Sequence, residues 1–198
     1  MTADPPFRSP EVTVVAHRNA AAGIGDRPAQ NHPVAPASAP VAIPASAPAV
    51  DPASPYAVGG YARGQPFVSD AKASDGGAGS AISPVDMMLA SLGSCTAMTV
   101  LMYADRKQWP VDGIRVGLAM ERRRATPDER AAGERPGAST TGWIVDIDMT
   151  LQIDGDALDS EQLDRMQSMA RKCPVHQTIA PGATIRDRLG PVEITAPG

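Results

Sequence analysis

The chain of 198 residues carries a formal net charge of −4, and aromatic side chains make up only 4% of it. Its length allows one domain with a core of Met, Leu, Val, Ile and Ala, and the negative charge gives no electrostatic reason to expect nucleic acid or an anionic membrane as a partner. The N-terminal segment lacks a basic start followed by an apolar stretch, so we expect no secretory signal. No apolar run reaches the length of a membrane span without charge, so we expect no membrane-spanning segment and a cytoplasmic location.

The N-terminal part combines one predicted strand with a low-complexity segment. Residues 11–18 alternate as a strand. Residues 19–55 repeat Pro, Ala and Ser, a composition that buries too little apolar surface to offset the entropy of ordering. We predict a first-strand region at 1–18, a flexible insertion at 19–55 and the main domain at 56–198. A partner-binding role is the alternative for the insertion.

Strands account for most of the other predicted elements. Residues 56–72 are predicted to form a β-hairpin that turns at Gly59–Gly60 or at Arg63–Gly64–Gln65. Apolar and polar residues alternate clearly in 143–153, as expected for a strand with one buried face. Further strands are predicted at 113–122, 183–189 and 192–195, with an exposed loop at 123–141.

A long helix is predicted in the middle of the chain, over residues 83–109. Ser83 is its predicted N-cap, and Asp86 stands at the third helical position, where a carboxylate completes a capping box. Apolar residues at spacings of three and four place one set on a common face: Met88, Leu89, Leu92, Cys95, Met98, Thr99 and Met102. Most other residues up to Tyr103 are small or apolar too, which indicates a central helix covered on more than one side.

The two cysteines are Cys95, on this helix, and Cys173, at the end of a second predicted helix over 159–173. Their wide separation excludes a CxxC motif. A free cysteine on a core helix is commonly a small hydrophobe, which is the simplest interpretation of Cys95. Cys173 and His176 could give two zinc ligands, but a structural site needs four and only His17 and His32 remain as histidines, so we predict no bound metal. We also expect no bound cofactor.

The predicted elements are antiparallel hairpins and two helices that do not alternate with them, which is an α+β pattern. The central helix is apolar all round and the sheet is single, so one chain cannot cover all of their apolar surface. This favours a homodimer.

The run SPVDMMLASLGSCTAMTVLMYADRKQWPVDGIRV resembles the core signature of the OsmC/Ohr superfamily, and KCPVHQTI resembles its second cysteine motif. The superfamily comprises osmotically inducible protein C and the organic hydroperoxide resistance proteins. The resemblance covers residues 56–195. It implies an OsmC-like fold with a long central helix carrying Cys95, in an intertwined homodimer with active sites at the subunit interface.

The resemblance also implies a thiol-dependent peroxidase acting on organic hydroperoxides. Cys95 would attack the peroxide and Cys173 would resolve the resulting sulfenic acid as a disulfide. A dithiol such as dihydrolipoamide, free or on a lipoylated protein, would be the external reductant. The alternative is a non-catalytic relative in which the same pocket binds an apolar ligand or the thiol pair senses redox state.

In the peroxidase members an arginine from the N-terminal hairpin favours the thiolate, and a glutamate orients that arginine. Arg63 is the candidate arginine here and Arg18 a second one, although an exposed turn arginine accounts equally well for Arg63. Val85 stands where those members carry the glutamate. The neighbouring Asp86 is the candidate substitute, or only a helix cap. Similarly, His176 either polarises the second cysteine or is structural.

Overall fold

The computed structural model describes residues 12–17, 48–62, 64–128, 143–155 and 157–182. The described strands are β1 (Val12–His17), β2 (Val58–Ala62), β3 (Gln65–Ser69), β4 (Gly113–Arg124) and β5 (Trp143–Asp154), and the helices are α1 (Pro84–Lys107), α2 (Ser160–Ala170) and α3 (Pro174–Ile179). The chain divides into two compact units. The first includes β1 and the described residues from 88 to 182, and the second includes those from 48 to 87.

The sheet of the first unit has the antiparallel order β1-β4-β5. Val14 pairs with Val116, which pairs with Leu151 on its other side, so apolar residues line up across all three strands. The alternating β4 residues Ile114, Val116 and Leu118 are fully buried, as the strand pattern predicts. The predicted strands at 11–18, 113–122 and 143–153 are therefore confirmed, and β4 extends to Arg124.

Helix α1 buries one face in the first unit. Its buried residues recur at helical spacing: Leu89, Leu92, Gly93, Thr96, Ala97, Val100 and Ala104. The prediction of a single apolar face on this helix is therefore only partly confirmed. Leu89 and Leu92 belong to the buried face, whereas the side chains of Met98 and Met102 are 59% and 64% exposed. The helix is apolar all round, so the sequence pattern did not distinguish the face that meets this sheet from the opposite one.

Length and composition alone would allow α1 to cross a membrane, because its apolar window is long enough and nearly free of charge. This differs from the expectation that no apolar run reaches that length. A core helix of a globular domain has the same properties, and α1 has the fully buried Leu89, Val100 and Ala104 in the main apolar cluster of the first unit. The composition of α1 therefore does not distinguish a membrane-spanning helix from a core helix.

Two consecutive helices follow β5. Asp159 caps α2, with a complete capping box to Gln162. The helix ends at Ala170, short of the predicted Cys173, and Pro174 begins a further helix, α3, that the sequence interpretation missed. Cys173 is the N-cap of α3 and Pro174 its first residue, where a missing N–H costs nothing.

The second unit contains the predicted hairpin. The β2–β3 turn falls between Ala62 and Gln65, which confirms the second of the two predicted turns, while Gly59 and Gly60 lie within β2. Asp70 follows β3 and is almost fully buried. It accepts hydrogen bonds from the Ser54 hydroxyl at 2.6 Å and from the main chain and hydroxyl of Ser80 at 2.9 and 2.8 Å. Ser54, at the end of the predicted insertion, is thus packed.

These hydrogen bonds, led by that from Ser54, lower the pKa of Asp70 from 3.8 to about 2. Because the folded pKa is depressed, the carboxylate contributes stability above pH 3.8 that is lost as the pH falls towards 2. We expect Asp70→Asn to lose this stability at neutral pH, measured as faster hydrogen exchange of the Ser80 amide. The exposed Asp75→Asn is the control, and equal protection in both variants would contradict the prediction.

Several sequence predictions lie outside the described residues. They are the C-terminal strands at 183–189 and 192–195, most of the insertion at 19–55, the greater part of the loop at 123–141, and the candidate arginines Arg18 and Arg63.

Candidate functional site

Cys95 lies at the middle of α1, two residues after the point where this helix passes closest to the sheet. A Cβ atom at Gly93 would meet Val14 and Leu118 at 2.8 and 2.9 Å, so only glycine permits this approach. The approach brings the next turn of the helix onto the sheet as well, where the Thr96 hydroxyl lies 3.8 Å from the sulfur of Met149. Cys95 is half-buried at the edge of the apolar cluster.

Cys173 lies between α2 and α3 and is fully buried. As the N-cap of α3, its sulfur accepts a hydrogen bond from the main-chain N–H of His176 at 3.4 Å. This places the sulfur at the beginning of the helix, pointing towards the protein interior and away from solvent. The histidine that sequence analysis considered as a polarising group therefore contacts Cys173 through its main chain.

The structure brings the two thiols together. The Cys173 side chain is near enough to Cys95 to raise its pKa, and both cysteines are free. A half-buried thiol thus has a fully buried one as its neighbour. Two neighbouring thiols of this kind are candidates for a disulfide.

The surroundings of Cys95 favour the neutral thiol. Burial, followed by the interaction with Cys173, raises the pKa of Cys95 above its usual 9.0, while the main chain of Val175 and the Thr99 hydroxyl partly oppose this rise. None of these influences is a cation. The arginine that the resemblance implies would act in the opposite direction, and its candidate, Arg63, lies outside the described residues.

We expect Cys173→Ala to lower the pKa of Cys95, because it removes the neighbouring thiol that favours the neutral form. Thr99→Val should raise it, because the hydroxyl favours the thiolate. The measurement is the pH dependence of the Cys95 alkylation rate, followed by peptide mass mapping, and each pKa unit changes the thiolate fraction about tenfold below the pKa. Shifts of the same sign in both variants would contradict this account.

An apolar cavity of about 220 Å³ lies near the two cysteine-bearing elements. One wall is Leu92, one turn before Cys95, and the other contains His176, whose main chain contacts Cys173. The remaining lining residues come from β5 and the end of α3: Val145, Ile147, Met149, Ile179 and Ala180. The cavity could hold a small organic group one helical turn from Cys95.

Asp86 is engaged at the beginning of α1. Its main-chain N–H donates to the Ser83 hydroxyl at 3.2 Å, that hydroxyl donates to its carboxylate at 2.8 Å, and Lys72 forms an ion pair with the carboxylate at 3.1 Å. The predicted capping interaction is therefore present. Whether Asp86 also takes the place of the glutamate replaced by Val85 stays a prediction, as does the role of Arg63.

Two groups that contact Cys95 were missed by sequence analysis, the main chain of Val175 and the side chain of Thr99. Thr99 also donates to the Cys95 carbonyl at 2.8 Å, one helical turn back, a spacing visible in the sequence. Val175 had no such signal, since a main-chain contact is independent of side-chain type. Among the described residues, no cluster of three or more His, Cys, Asp or Glu side chains could hold a metal ion.

With this geometry established, comparison with protein families matches residues 77–186 to the model described as OsmC-like protein. The matched segment is more than half of the chain and includes both cysteines. The chain belongs to the OsmC-like protein family. The α+β fold, with antiparallel sheets and a long helix carrying Cys95, is thus the fold expected from the resemblance of the two cysteine motifs.

Solved structures similar to this OsmC-like protein have low sequence identity to it. An osmotic stress induced and detoxification response protein from Psychrobacter arcticus 273-4 is 18% identical, with a TM-score of 0.47, over 63% of this chain and 88% of its own. An organic hydroperoxide resistance protein OsmC from Legionella pneumophila is 16% identical, with a TM-score of 0.42, over 61% of this chain and 85% of its own.

A third solved structure, an OsmC-like hydroperoxide resistance protein from Jannaschia sp. CCS1, is 21% identical, with a TM-score of 0.38, over 63% of this chain and 73% of its own. A comparison with curated proteins found no match.

Proposed function

We propose that this OsmC-like protein is a thiol-dependent peroxidase that reduces organic hydroperoxides to alcohols. The observation that carries the proposal is that the half-buried Cys95 has the fully buried Cys173 as its neighbour. A nucleophilic thiol needs access to substrate, whereas a resolving thiol needs access only to the first sulfur. The apolar cavity lined by Leu92 and His176 favours an organic peroxide over hydrogen peroxide.

The first step is nucleophilic attack by the Cys95 thiolate on the terminal peroxide oxygen. The S–O bond forms as the O–O bond breaks, the alkoxide takes up a proton and leaves as the alcohol, and Cys95 becomes a sulfenic acid. Because burial and Cys173 raise the pKa of Cys95, the thiolate needs stabilisation from another group. Arg63 is our candidate for that group, with Asp86 as the carboxylate that would orient it.

The second step is condensation of the Cys173 thiol with the sulfenic acid. The S–S bond forms, the S–O bond breaks and water leaves, which protects Cys95 from further oxidation. An external dithiol of the dihydrolipoamide type, free or on a lipoylated protein, then reduces the disulfide by two exchange reactions and is itself oxidised to a cyclic disulfide. No bound cofactor takes part, and we expect the reactions to occur in the cytoplasm.

The test is consumption of cumene hydroperoxide by the full-length protein with dihydrolipoamide as reductant. We expect turnover that exceeds turnover with hydrogen peroxide and that is lost after both thiols are alkylated under denaturing conditions and the protein is refolded. A correctly folded native protein with reduced thiols and no turnover would refute the proposal.

The raised pKa of Cys95 favours a second candidate function, in which the protein binds an apolar ligand or senses redox state without turnover. A protonated thiol reacts slowly with peroxides, so it would form the disulfide only under sustained oxidation. Stoichiometric disulfide formation by cumene hydroperoxide without catalytic use of dihydrolipoamide would support this candidate over the peroxidase.

We further propose that a second copy of the chain covers the exposed methionine face of α1, which comprises Met88, Met98 and Met102. These residues share the side of the helix that also bears Cys95, at spacings of seven, three and four. A contiguous apolar strip of this kind is typical of an interface. The predicted homodimer would thereby cover the helix on its second side.

The interface proposal predicts that Met98→Lys combined with Met102→Lys converts a dimer into a monomer, because burying two ammonium groups without partners is costly. The measurement is light scattering coupled to size-exclusion chromatography. Leu163→Lys, at an exposed apolar position on α2, is the control and should remain dimeric. A wild-type monomer, or a double variant that stays dimeric, would contradict the prediction.

A further inference from the structure

Strands β4 and β5 continue past the end of β1 as a two-stranded ribbon. β1 pairs with residues 113–118 of β4, whereas β4 and β5 remain paired up to Arg124 and Trp143. In this ribbon Arg122 lies opposite Val145, and Arg124 lies opposite Trp143. Side chains alternate between the two faces of a strand, so these four residues share one face of the ribbon.

The indole ring of Trp143 lies against both arginines of this face. The guanidinium carbons of Arg122 and Arg124 lie 4.8 and 4.4 Å from the ring centroid. Both arginines are exposed, whereas Arg123 between them is half-buried. A guanidinium that uses its plane for contact with an aromatic ring keeps its N–H edge available to a carboxylate. We name Arg122, Arg124 and Trp143 the arginine–tryptophan clamp.

The charges of the ribbon are separated between its two faces. The acidic residues Glu121, Asp146 and Asp148 alternate onto the face opposite the clamp, and Arg123 forms an ion pair there with Asp146 at 2.7 Å. Two positive charges therefore concentrate on the clamp face, where residues 119–124 and 143–148 of the ribbon place no carboxylate. Salt screens the more distant charges, so an anion that approaches this face meets the two cations first, although the chain as a whole is negative.

The clamp is an open strip on the ribbon. Val145 lines the apolar cavity described above, but neither arginine nor Trp143 lines it. Small molecules are bound mostly in concave sites that enclose them, whereas an open strip suits an extended polypeptide. Arg122 and Arg124 are two residues apart on one strand, so their Cα atoms lie about 7 Å apart. An extended segment with acidic residues at alternate positions has the same spacing and presents one carboxylate to each guanidinium.

The charge balance favours an acidic polypeptide over a nucleic acid or a second copy of this chain. Nucleic-acid binding rests on neutralising many phosphates, whereas this face offers two cations on a chain of net charge −4. A second copy would present the acids of its own ribbon, of which Asp146 is already paired with Arg123.

We propose that the arginine–tryptophan clamp is a docking surface for an extended acidic segment of another protein, with Asp or Glu at two alternate positions. Each guanidinium donates charge-assisted hydrogen bonds to one carboxylate. The indole ring holds both guanidiniums in place before the partner arrives, which lowers the entropic cost of binding. Val145, 52% exposed beside Arg122, adds an apolar contact for the stem of a glutamate. The inference is independent of the proposed peroxidase reaction, in which these residues take no part.

The test is the fluorescence anisotropy of two synthetic peptides, GGEVEGG and GGQVQGG, titrated with the full-length protein at low salt. Both peptides carry a neutral fluorophore and an amidated C-terminus, so only the first has carboxylates, at alternate positions. We expect the wild type to bind the glutamate peptide at least about tenfold more tightly, because two charge-assisted hydrogen bonds are lost with glutamine. The Arg122→Gln, Arg124→Gln double variant should bind the two peptides equally.

The matched control is the Arg115→Gln, Arg123→Gln double variant. It removes the same two positive charges from the opposite face of β4, where Arg115 and Arg123 form ion pairs with Asp154 and Asp146. This variant should keep the preference for the glutamate peptide. A preference lost equally in both double variants would show that overall charge attracts the peptide, and it would overturn the inference.

Trp143 supplies a direct measurement of binding at the clamp. The chain has two tryptophans, so Trp109→Phe leaves Trp143 as the sole indole, and the unlabelled glutamate peptide should change its emission. Equal binding of both peptides by the wild type would refute the proposal. Tighter binding of an oligothymidylate through the same arginines would instead identify a nucleic-acid surface. Loss of an oligomer in the Arg122→Gln, Arg124→Gln variant would identify an interface between copies, and either result would also overturn the proposal.

Discussion

We expect replacement of Cys95 by serine to lower hydroperoxide turnover by on the order of 10³-fold or more, and replacement of Cys173 by serine to leave the first turnover intact. The difference follows from the two positions in the structure. Cys95 is half-buried and partly open to solvent, while Cys173 is fully buried and in our proposal reacts only with Cys95. Removing the first thiol removes the nucleophile, and removing the second removes only its protection.

In Cys173→Ser the sulfenic acid at Cys95 has no thiol with which to condense. Repeated exposure to peroxide should convert it to sulfinic acid and inactivate the protein progressively. Serine is the suitable replacement because its hydroxyl can still accept the His176 N–H and cap α3, as the sulfur does in the native protein. The measurements are single-turnover kinetics and mass spectrometry of the Cys95 peptide.

If Cys173 were the nucleophile and Cys95 the resolving thiol, sulfinic acid would accumulate at Cys173 in the Cys95→Ser variant. Full steady-state turnover in Cys173→Ser would mean that the external dithiol reduces the sulfenic acid directly, and the resolving role of Cys173 would then be wrong. Circular dichroism of both variants serves as the folding control.

The largest expected effect on stability comes from Gly93. A Cβ atom there would lie 2.8 Å from a methyl group of Val14 and 2.9 Å from a methyl group of Leu118, closer than carbon atoms pack. Gly93→Val adds two further methyl groups to this contact, so α1 must move away from the sheet. We expect a loss of about 3 kcal/mol or more in the free energy of unfolding, measured by urea denaturation.

The comparison with Gly93→Ala separates crowding from helix propensity. Alanine favours a helix over glycine by about 1 kcal/mol, so this variant should lose less than the valine variant. Shortening the opposing residue, in Gly93→Ala with Val14→Ala, should recover part of the loss because the nearest obstructing methyl group is then absent. Equal stabilities of Gly93→Val and the wild type would show that the helix does not approach the sheet as described.

Local sequence signals were sufficient for most element boundaries. Ser83 and Pro84 mark the beginning of α1, and the alternation of β5 predicts a strand with one buried face. These signals act within a few residues, through capping hydrogen bonds and through the two-residue period of a strand, so they can be recognised in a single chain. The Cys-Pro step before α3 was such a signal as well, although it was interpreted only as the end of α2.

The residue motifs around Cys95 and Cys173 are sufficient to indicate the family, but their sequence positions say nothing about the distance between the two sulfurs. The proximity of the two thiols depends on α1 packing on the sheet at Gly93 and on α3 beginning at Cys173. The direction of the Cys95 pKa shift follows from burial and from that proximity, both of which involve residues far apart in the sequence.

The sequence by itself determined most of the described elements, the α+β class and the two cysteines as the residues to examine, because these depend on short-range periodicity and residue chemistry. Only the tertiary structure decided which side of α1 is buried, since a helix that is apolar all round offers no preferred face. It also decided that Arg122, Arg124 and Trp143 form one cluster beside the cavity, because cross-strand register is set by pairing across the sheet.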